Sequence, residues 1–134
     1  MKRSGLLFLI GCICYPAIEL LWRGRTHPTM ALAGGICLYL TDKLSCIKTK
    51  HTICLRQCTL CAGVITLVEL IFGFFLNIIC RRNVWDYSDL PANFMGQICL
   101  PFSVGWFFLS VPMVGLCRLF RKSQFLCKEK GAHL

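Results

Sequence analysis

Four apolar runs, each close to the length of a helix that crosses a membrane, take up most of this chain, at residues 5–22, 28–44, about 58–80 and about 94–117. A hydrocarbon core about 30 Å thick needs about 20 residues of α-helix to cross it. The sequence is 134 residues long and 56% apolar, with a mean hydropathy of +0.63. A water-soluble chain this small keeps a large share of its surface exposed and could not hide so much apolar side chain. Lipid removes the difficulty by acting as the outer solvent. The expected fold is therefore an all-α membrane protein, one transmembrane domain of four transmembrane helices over residues 1–134, ending in a basic cytoplasmic tail at 118–134. Pro16, Pro101 and Pro112 fall inside the runs. Membrane helices tolerate proline when neighbouring groups satisfy the freed carbonyls.

The charge is strongly basic, 15 Lys and Arg against 6 Asp and Glu for a net +9. The cations sit between apolar runs and not on one amphipathic face, and no nucleic-acid motif is present. That pattern excludes nucleic acid as the partner and reads as topology signal and contact with membrane lipid. Lys2, Arg3, Lys43, Lys48, Lys50, Arg56, Arg118, Arg121, Lys122, Lys128 and Lys130 fall on one side, eleven in all, against Arg23, Arg25, Arg81 and Arg82 on the other. The bias places both termini and the middle loop in the cytoplasm. Trp22, Trp85 and Tyr87 are then expected at the outer interface. Leu9-Ile10-Gly11-Cys12 imitates a lipoprotein cleavage site, but only Gly5 to Ile10 precede it and the chain stays apolar through Leu21. An uncleaved first helix is the reading that fits those lengths.

Eleven cysteines would suggest a disulfide framework in a secreted chain. Here Cys12, Cys14, Cys37, Cys80, Cys99 and Cys117 lie inside apolar runs, where a thiol packs as a small hydrophobe. Cys54, Cys58 and Cys61 share one helical face, but no fourth ligand accompanies them for a tetrahedral zinc. Nothing in the sequence calls for a metal or a cofactor.

The two halves echo each other. Glu19, a basic turn with Arg23 and Arg25, Met30 and Gly34-Gly35-Ile36-Cys37-Leu38 correspond to Glu69, Arg81 and Arg82, Met95 and Gly96-Gln97-Ile98-Cys99-Leu100. The expectation is two tandem helix-hairpin repeats related by an axis along the membrane normal.

Two intramembrane carboxylates stand out. A carboxylate inside a membrane helix costs about 2.5–3.5 kcal/mol on insertion scales. Glu19 has Arg23 four residues later, in the favourable order for a helical pair. Glu69 has Gly73 at the matching place, so it must find a partner across helices, stay protonated or face water. A second candidate is an outer-face polar cluster of Arg23, Arg25, His27, Arg81, Arg82, Trp85, Asp86, Tyr87, Ser88 and Asn93, with Asp89 beside it, which could receive a phosphate, a lipid head group or a carboxylate. Interfacial anchoring and ion pairing is the plainer role for the same groups. Gly34, Gly35, Gly63, Gly73, Gly96 and Gly105 are expected to let helices approach closely. There is no Walker A loop, no His-Glu-x-x-His and no Gly-x-Ser-x-Gly, so no catalytic residue is assigned.

The stretch Glu69-Leu-Ile-Phe-Gly73, Trp85-Asp86-Tyr87-Ser88, Asn93-Phe-Met-Gly96-Gln97-Ile98-Cys99, Phe102-Ser103 and Gly105-Trp106 resembles the putative ABC-transporter type IV family, bacterial membrane proteins also described as permeases. The resemblance runs from about Gly63 to Pro112, and Glu19-Leu-Leu-Trp-Arg23-Gly24 is a weaker echo of it. It implies a multi-pass protein of the bacterial cytoplasmic membrane, a permease-like component moving an unknown substrate. Such a component would need a separate ATPase chain or another membrane subunit. The middle loop, Ser45 to Gln57, is the candidate to reach that subunit. Four helices barely enclose a path, so a homo-oligomer is expected as well. A non-catalytic accessory subunit of a larger complex is the alternative, and an enzyme working at head-group level with Arg82 and Asp86 is a third.

Overall fold

A computed structural model describes residues 2–45 and 55–131, with side chains through 124. Within them the chain forms four α-helices: α1 (Arg3–Arg23), α2 (Pro28–Leu44), α3 (Leu55–Gly73) and α4 (Leu100–Gly131). A π-helical segment, Phe74–Ile79, continues α3. Two short antiparallel strands, β1 (Asn93–Phe94) and β2 (Ile98–Cys99), pair Asn93 with Cys99 and Phe94 with Ile98 just before α4. Cys54, Lys48 and Lys50 lie outside the described residues, as do the side chains of Lys128 and Lys130.

Local chemistry sets the ends of the first hairpin. Gly24 stops α1 in the left-handed conformation, φ 68°, and its N–H reaches back to the Leu20 carbonyl. Only glycine adopts that geometry at no steric cost. Three residues later His27 starts α2, accepting a hydrogen bond from the Thr29 N–H, and Pro28 fills the first helical turn, where its missing N–H is not needed.

The first two helices meet backbone to backbone. A Cβ on Gly11 would sit 2.4 Å from the Gly34 carbonyl oxygen, and one on Gly34 would sit 2.3 Å from the Tyr15 Cβ. Small residues give this approach, and dispersion across it replaces the hydrophobic drive that lipid removes. Gly73 serves the same end elsewhere, since an added Cβ would lie 2.6 Å from Gln97 Oε1. Gly63 and Gly105 do not behave as expected: a Cβ there would meet nothing within 4 Å.

Polar groups point inward and apolar ones outward. Glu19, Asp42, Gln57, Glu69, Asn77, Gln97 and Ser110 are buried, while Ile13, Leu21, Ile71 and Phe108 are more than half exposed. That is the arrangement lipid selects and water penalises. Alongside the polar groups, Met30, Ala33, Cys37, Ile65, Val68, Leu76 and Trp85 form the main apolar cluster, and Leu7, Leu38 and Cys117 form a second.

The four expected spans need correction. Among the described residues three helices are long and apolar enough to cross a membrane: Arg3–Arg23, Leu55–Ile79 and Leu100–Gln124. The 17 residues of α2 rise only about 26 Å. Instead α2 is packed among the others, with eight of its residues buried. The ends of the runs also shift. Among the described residues the third helix already covers Leu55, ahead of the expected start, and it turns π-helical at Phe74. The fourth begins at Leu100 and not near Phe94, because Met95 and Gly96 have φ of 53° and 67° and turn the chain. Pro101 then occupies the first turn of α4, where proline fits. No glycine or proline interrupts residues 116–130, so the expected tail is helical to Gly131.

The repeat motif also takes two different forms. Gly34 to Leu38 lie inside α2, whereas Gly96 to Cys99 form a turn and a strand. The matching letters therefore do not mark matching local structure.

The glycine contacts make a direct prediction. Gly11→Leu and Gly34→Leu should prevent stable assembly of the first hairpin, because backbone atoms lie where the side chain must go. Gly63→Leu and Gly105→Leu should leave the protein monodisperse in detergent, with an unchanged or raised thermal midpoint. Size-exclusion profiles and melting curves of the four variants check this.

Candidate functional site

The connection from Cys80 to Cys99 builds the site. Its base is Asn77, which sits buried in the π-helical segment. The Asn77 amide donates to the Trp85 carbonyl at 3.0 Å and to Gln97 Oε1 at 2.8 Å, and its oxygen accepts from the Val84 N–H at 2.7 Å. Trp85 is not at the interface, as expected from its type, but in the core, 4% exposed, with Nε1 donating to the Gln97 carbonyl at 2.9 Å. Three side chains thus fasten the connection onto the end of α3.

The rest of the Trp-Asp-Tyr-Ser and Asn-x-x-Gly motif shapes a turn. The Ser88 N–H and hydroxyl both donate to Asp86 Oδ1. Those two bonds hold the exposed Asp86 carboxyl below its usual pKa. Asn93 donates to the Ser88 and Leu90 carbonyls and accepts from the Gly96 N–H. The Gly96 carbonyl accepts from the Tyr87 N–H at 2.8 Å. Gly96 has Asp86 and Ser88 oxygens within 2.7 Å of where a Cβ would be, so a larger residue there would break this turn. Four residues other than glycine hold positive φ among the described residues, Arg81, Asn83, Ala92 and Met95, and all lie in this connection. Backbone strain of that kind persists only where the surroundings over-determine it.

The product of this folding is the position of Tyr87. Its hydroxyl donates to Glu69 Oε1 at 2.8 Å, and the Trp106 indole N–H from α4 donates to Glu69 Oε2 at 2.9 Å. Glu69 is 4% exposed. Burial first, and the Glu69 carboxylate next, push the Tyr87 phenol well above its usual pKa, so it remains a donor. Tyr15 of α1 stacks on Trp106 with ring centres 5.8 Å apart, and Tyr87 stacks on Phe102 at 4.7 Å.

Glu19 takes a different partner. Its carboxylate pairs with Arg23 and accepts from the Thr26 hydroxyl at 2.5 Å. Arg23 also reaches the Val84 carbonyl at 3.4 Å, which ties the first hairpin to the connection. Beside these groups a cleft of about 550 Å³ opens between α1 and α4, with Tyr15, Glu19, Arg23, Tyr87, Phe102 and Trp106 in its walls.

The expected outer cluster is thus divided. Glu19, Arg23 and Tyr87 meet at the cleft, with Glu69 behind its wall. Trp85, Asp86, Ser88 and Asn93 fold the connection, and His27 caps α2. Arg25, Arg81, Arg82 and Asp89 are exposed at the same end. Sequence reasoning missed Tyr15 and Asn77. Asn77 was open to discovery as an amide within the third apolar run, because the cost that singles out a buried carboxylate applies to any polar side chain there.

A second polar centre at the opposite end was also missed. Asp42, fully buried in α2, accepts from Arg3 of α1 at 2.6 Å and from Arg121 of α4 at 3.3 Å. Arg121 also donates to the Asp42 and Ser45 carbonyls, and Arg118 donates to Gln57 at 2.5 Å. The start of α1, the end of α2, the start of α3 and the middle of α4 are held together there.

The sequence profile of the putative ABC-transporter type IV family matches residues 6–130. The chain belongs to that family. The match extends well beyond the segment from Gly63 to Pro112 and takes in the first hairpin and most of α4. No solved structure matches the chain. Within the putative ABC-transporter type IV fold described here, the motif residues spend most of their hydrogen bonds on the connection and leave Tyr87 directed at Glu69.

Asp42→Ala should lower stability by about 2–3 kcal/mol, less than the 3–5 kcal/mol for breaking a fully buried pair, because both arginine heads are partly exposed. Asn77→Ala should cost about 2–4 kcal/mol by stranding three partners. Thermal unfolding in one detergent compares both with wild type, and a shift within error for either would remove it as a fastening point.

Proposed function

We propose that this membrane protein is a permease-like transport component of a bacterial cytoplasmic membrane, acting through Glu69 and the cleft beside it. One observation carries the reading. Glu69 is buried in a helix long and apolar enough to span the bilayer, and its two hydrogen-bond donors are both neutral, the Tyr87 hydroxyl and the Trp106 indole. A carboxylate held this way can exchange a proton or a cation without dismantling an ion pair. Intramembrane carboxylates mark such pathways in pumps and carriers.

On this reading α2 is the fourth crossing, short because helices and not lipid surround much of it. Both termini are cytoplasmic, as the lysine and arginine bias requires, and the Asp42 centre lies at the inner face. The two hairpins act as tandem units despite their different turns. The chain carries no reaction of its own and works as a homo-oligomer with a separate ATPase or another membrane subunit. A non-catalytic accessory role is the second reading, and the open faces at Gly63 and Gly105 favour it, since small residues suit contact with a foreign helix.

Cells producing wild-type protein, Glu69→Gln or neither should differ in the distribution of a set of small solutes between cells and medium, read by untargeted mass spectrometry. The expected result is that Glu69→Gln reaches the membrane at wild-type level and loses about tenfold or more of the redistribution, the size that a single transition-state interaction commonly carries. Equal activity of Glu69→Gln would remove Glu69 from the pathway, and no redistribution by wild type would favour the accessory role.

A further inference from the structure

Open space comes close to Glu69 without reaching it. Tyr87 and Trp106 wall part of the outer cleft, and a second groove of about 320 Å³, apolar along its walls, continues from it between α1 and α4 past Ile10, Met113 and Leu116. The two spaces share Tyr15, Ile18, Trp106 and Leu109, so they are parts of one trough, narrowed at the stacked Tyr15–Trp106 pair. Glu69 lines neither part. The Tyr87 hydroxyl sits on its Oε1 and the Trp106 indole N–H on its Oε2. Passage by way of a carboxylate requires that something reach it, so one of these two side chains has to give way.

The two are held differently. Trp106 lies inside α4, stacked on Tyr15 and tilted against Phe102 with ring centres 6.5 Å apart, and its ring walls both parts of the trough. Tyr87 belongs to the connection and walls the outer cleft alone, with its ring on Phe102. The backbone that carries it is fixed. The Tyr87 N–H donates to the Gly96 carbonyl, and the Tyr87 carbonyl accepts from the Leu90 N–H at 2.9 Å. On either side, Trp85 is fastened to the Gln97 carbonyl and the Ser88 N–H to Asp86. Movement is therefore left to the side chain, which passes between staggered rotamers without shifting its backbone. A ring that borders an open cleft has room to turn into, whereas an indole wedged between two rings has not.

We infer that Tyr87 is a side-chain gate: with its hydroxyl on Glu69 the carboxylate is shut off from the outer cleft, and with its ring swung into the cleft Oε1 is uncovered while Trp106 keeps Oε2 in place. This assignment rests on the transport reading, which makes Glu69 a group that must be reached. The latch is one hydrogen bond and one ring stack, so opening breaks no ion pair. Asp86, Ser88, Asn93 and Gly96 then have a common purpose, which is to hold the point about which the ring turns.

Chemical modification of Glu69 reads the gate directly. Protein in a neutral detergent is treated with a water-soluble carbodiimide and glycinamide, and amide formation at Glu69 and Glu19 is followed by peptide mass spectrometry. Glu19 lines the cleft itself and reports that the reagent has entered. Initial rates are taken on the acid plateau of each variant's pH profile, so that a change in the carboxyl's titration does not count. Tyr87→Ala should raise the Glu69-to-Glu19 ratio about tenfold or more, because an open conformer populated at about 0.1–10% becomes permanent. Tyr87→Phe keeps the ring and loses the latch, and its ratio should rise about fivefold, the worth of one neutral hydrogen bond. Trp106→Phe also removes a donor to Glu69 but leaves the latch, and its ratio should stay near the wild-type value. An unchanged ratio in Tyr87→Phe overturns the inference, as does an equal rise in Trp106→Phe. So does an unchanged ratio in Tyr87→Ala with an unchanged melting curve; should the alanine variant fail to fold, Tyr87→Phe decides alone. Absence of modification at Glu19 in wild type would close the cleft to water and overturn the gate too. Ungated modification of Glu69 alongside a Glu69→Gln transport defect would sink the gate alone. Absence of any wild-type solute redistribution would sink the transport reading instead and leave the modification rates standing.

Discussion

A polar group placed among apolar helices has no water to turn to, so its partner must come from the protein. That constraint organises the fold. Asn77 spends its amide on Trp85, Gln97 and Val84, Asp42 takes two arginines, and Glu69 takes a phenol and an indole. Each draws together segments that are distant in the chain, because the local helix cannot supply the partner. Apolar packing contributes less direction, since a leucine on α1 gains little by leaving lipid for another leucine.

The partners fall at two ends of the bundle. One end is held by Asp42 with Arg3 and Arg121, the other by Asn77 and the Glu19–Arg23 pair reaching Val84. Between them, Gly11, Gly34 and Gly35 bring α1 and α2 into backbone contact. Between α1 and α4 there is instead a trough. The fold is thus fastened at its ends and closed along one seam of α1, while the other seam is open to the membrane. Tyr15 stands on that open seam, stacked on the same Trp106 that donates to Glu69.

Several features were legible without coordinates. The spacing of Glu19 and Arg23 announced their pair. The bounds of the first two apolar runs and the basic residues between them marked the first turn, and α2 occupies the residues its apolar run marked out. The run that began near Phe94 misled, because apolar letters continue through a turn and a strand before the helix starts at Leu100. Hydropathy records what a side chain prefers to touch, not the backbone conformation that carries it. Trp85 misled for a related reason: an indole suits an interface, but here its N–H found the Gln97 carbonyl in the core.

The sequence by itself determined the solvent, the helical class and the cost attached to Glu19 and Glu69, because these follow from composition and from distance along one helix. Only the tertiary structure decided which groups meet Glu69, which glycines touch backbone, and that Asp42 is the centre of one end of the bundle. Those outcomes depend on residues tens of positions apart: Glu69 with Tyr87 and Trp106, Asp42 with Arg3 and Arg121. A pairing of that kind leaves no periodic trace in the chain, since its geometry exists only once the helices have packed.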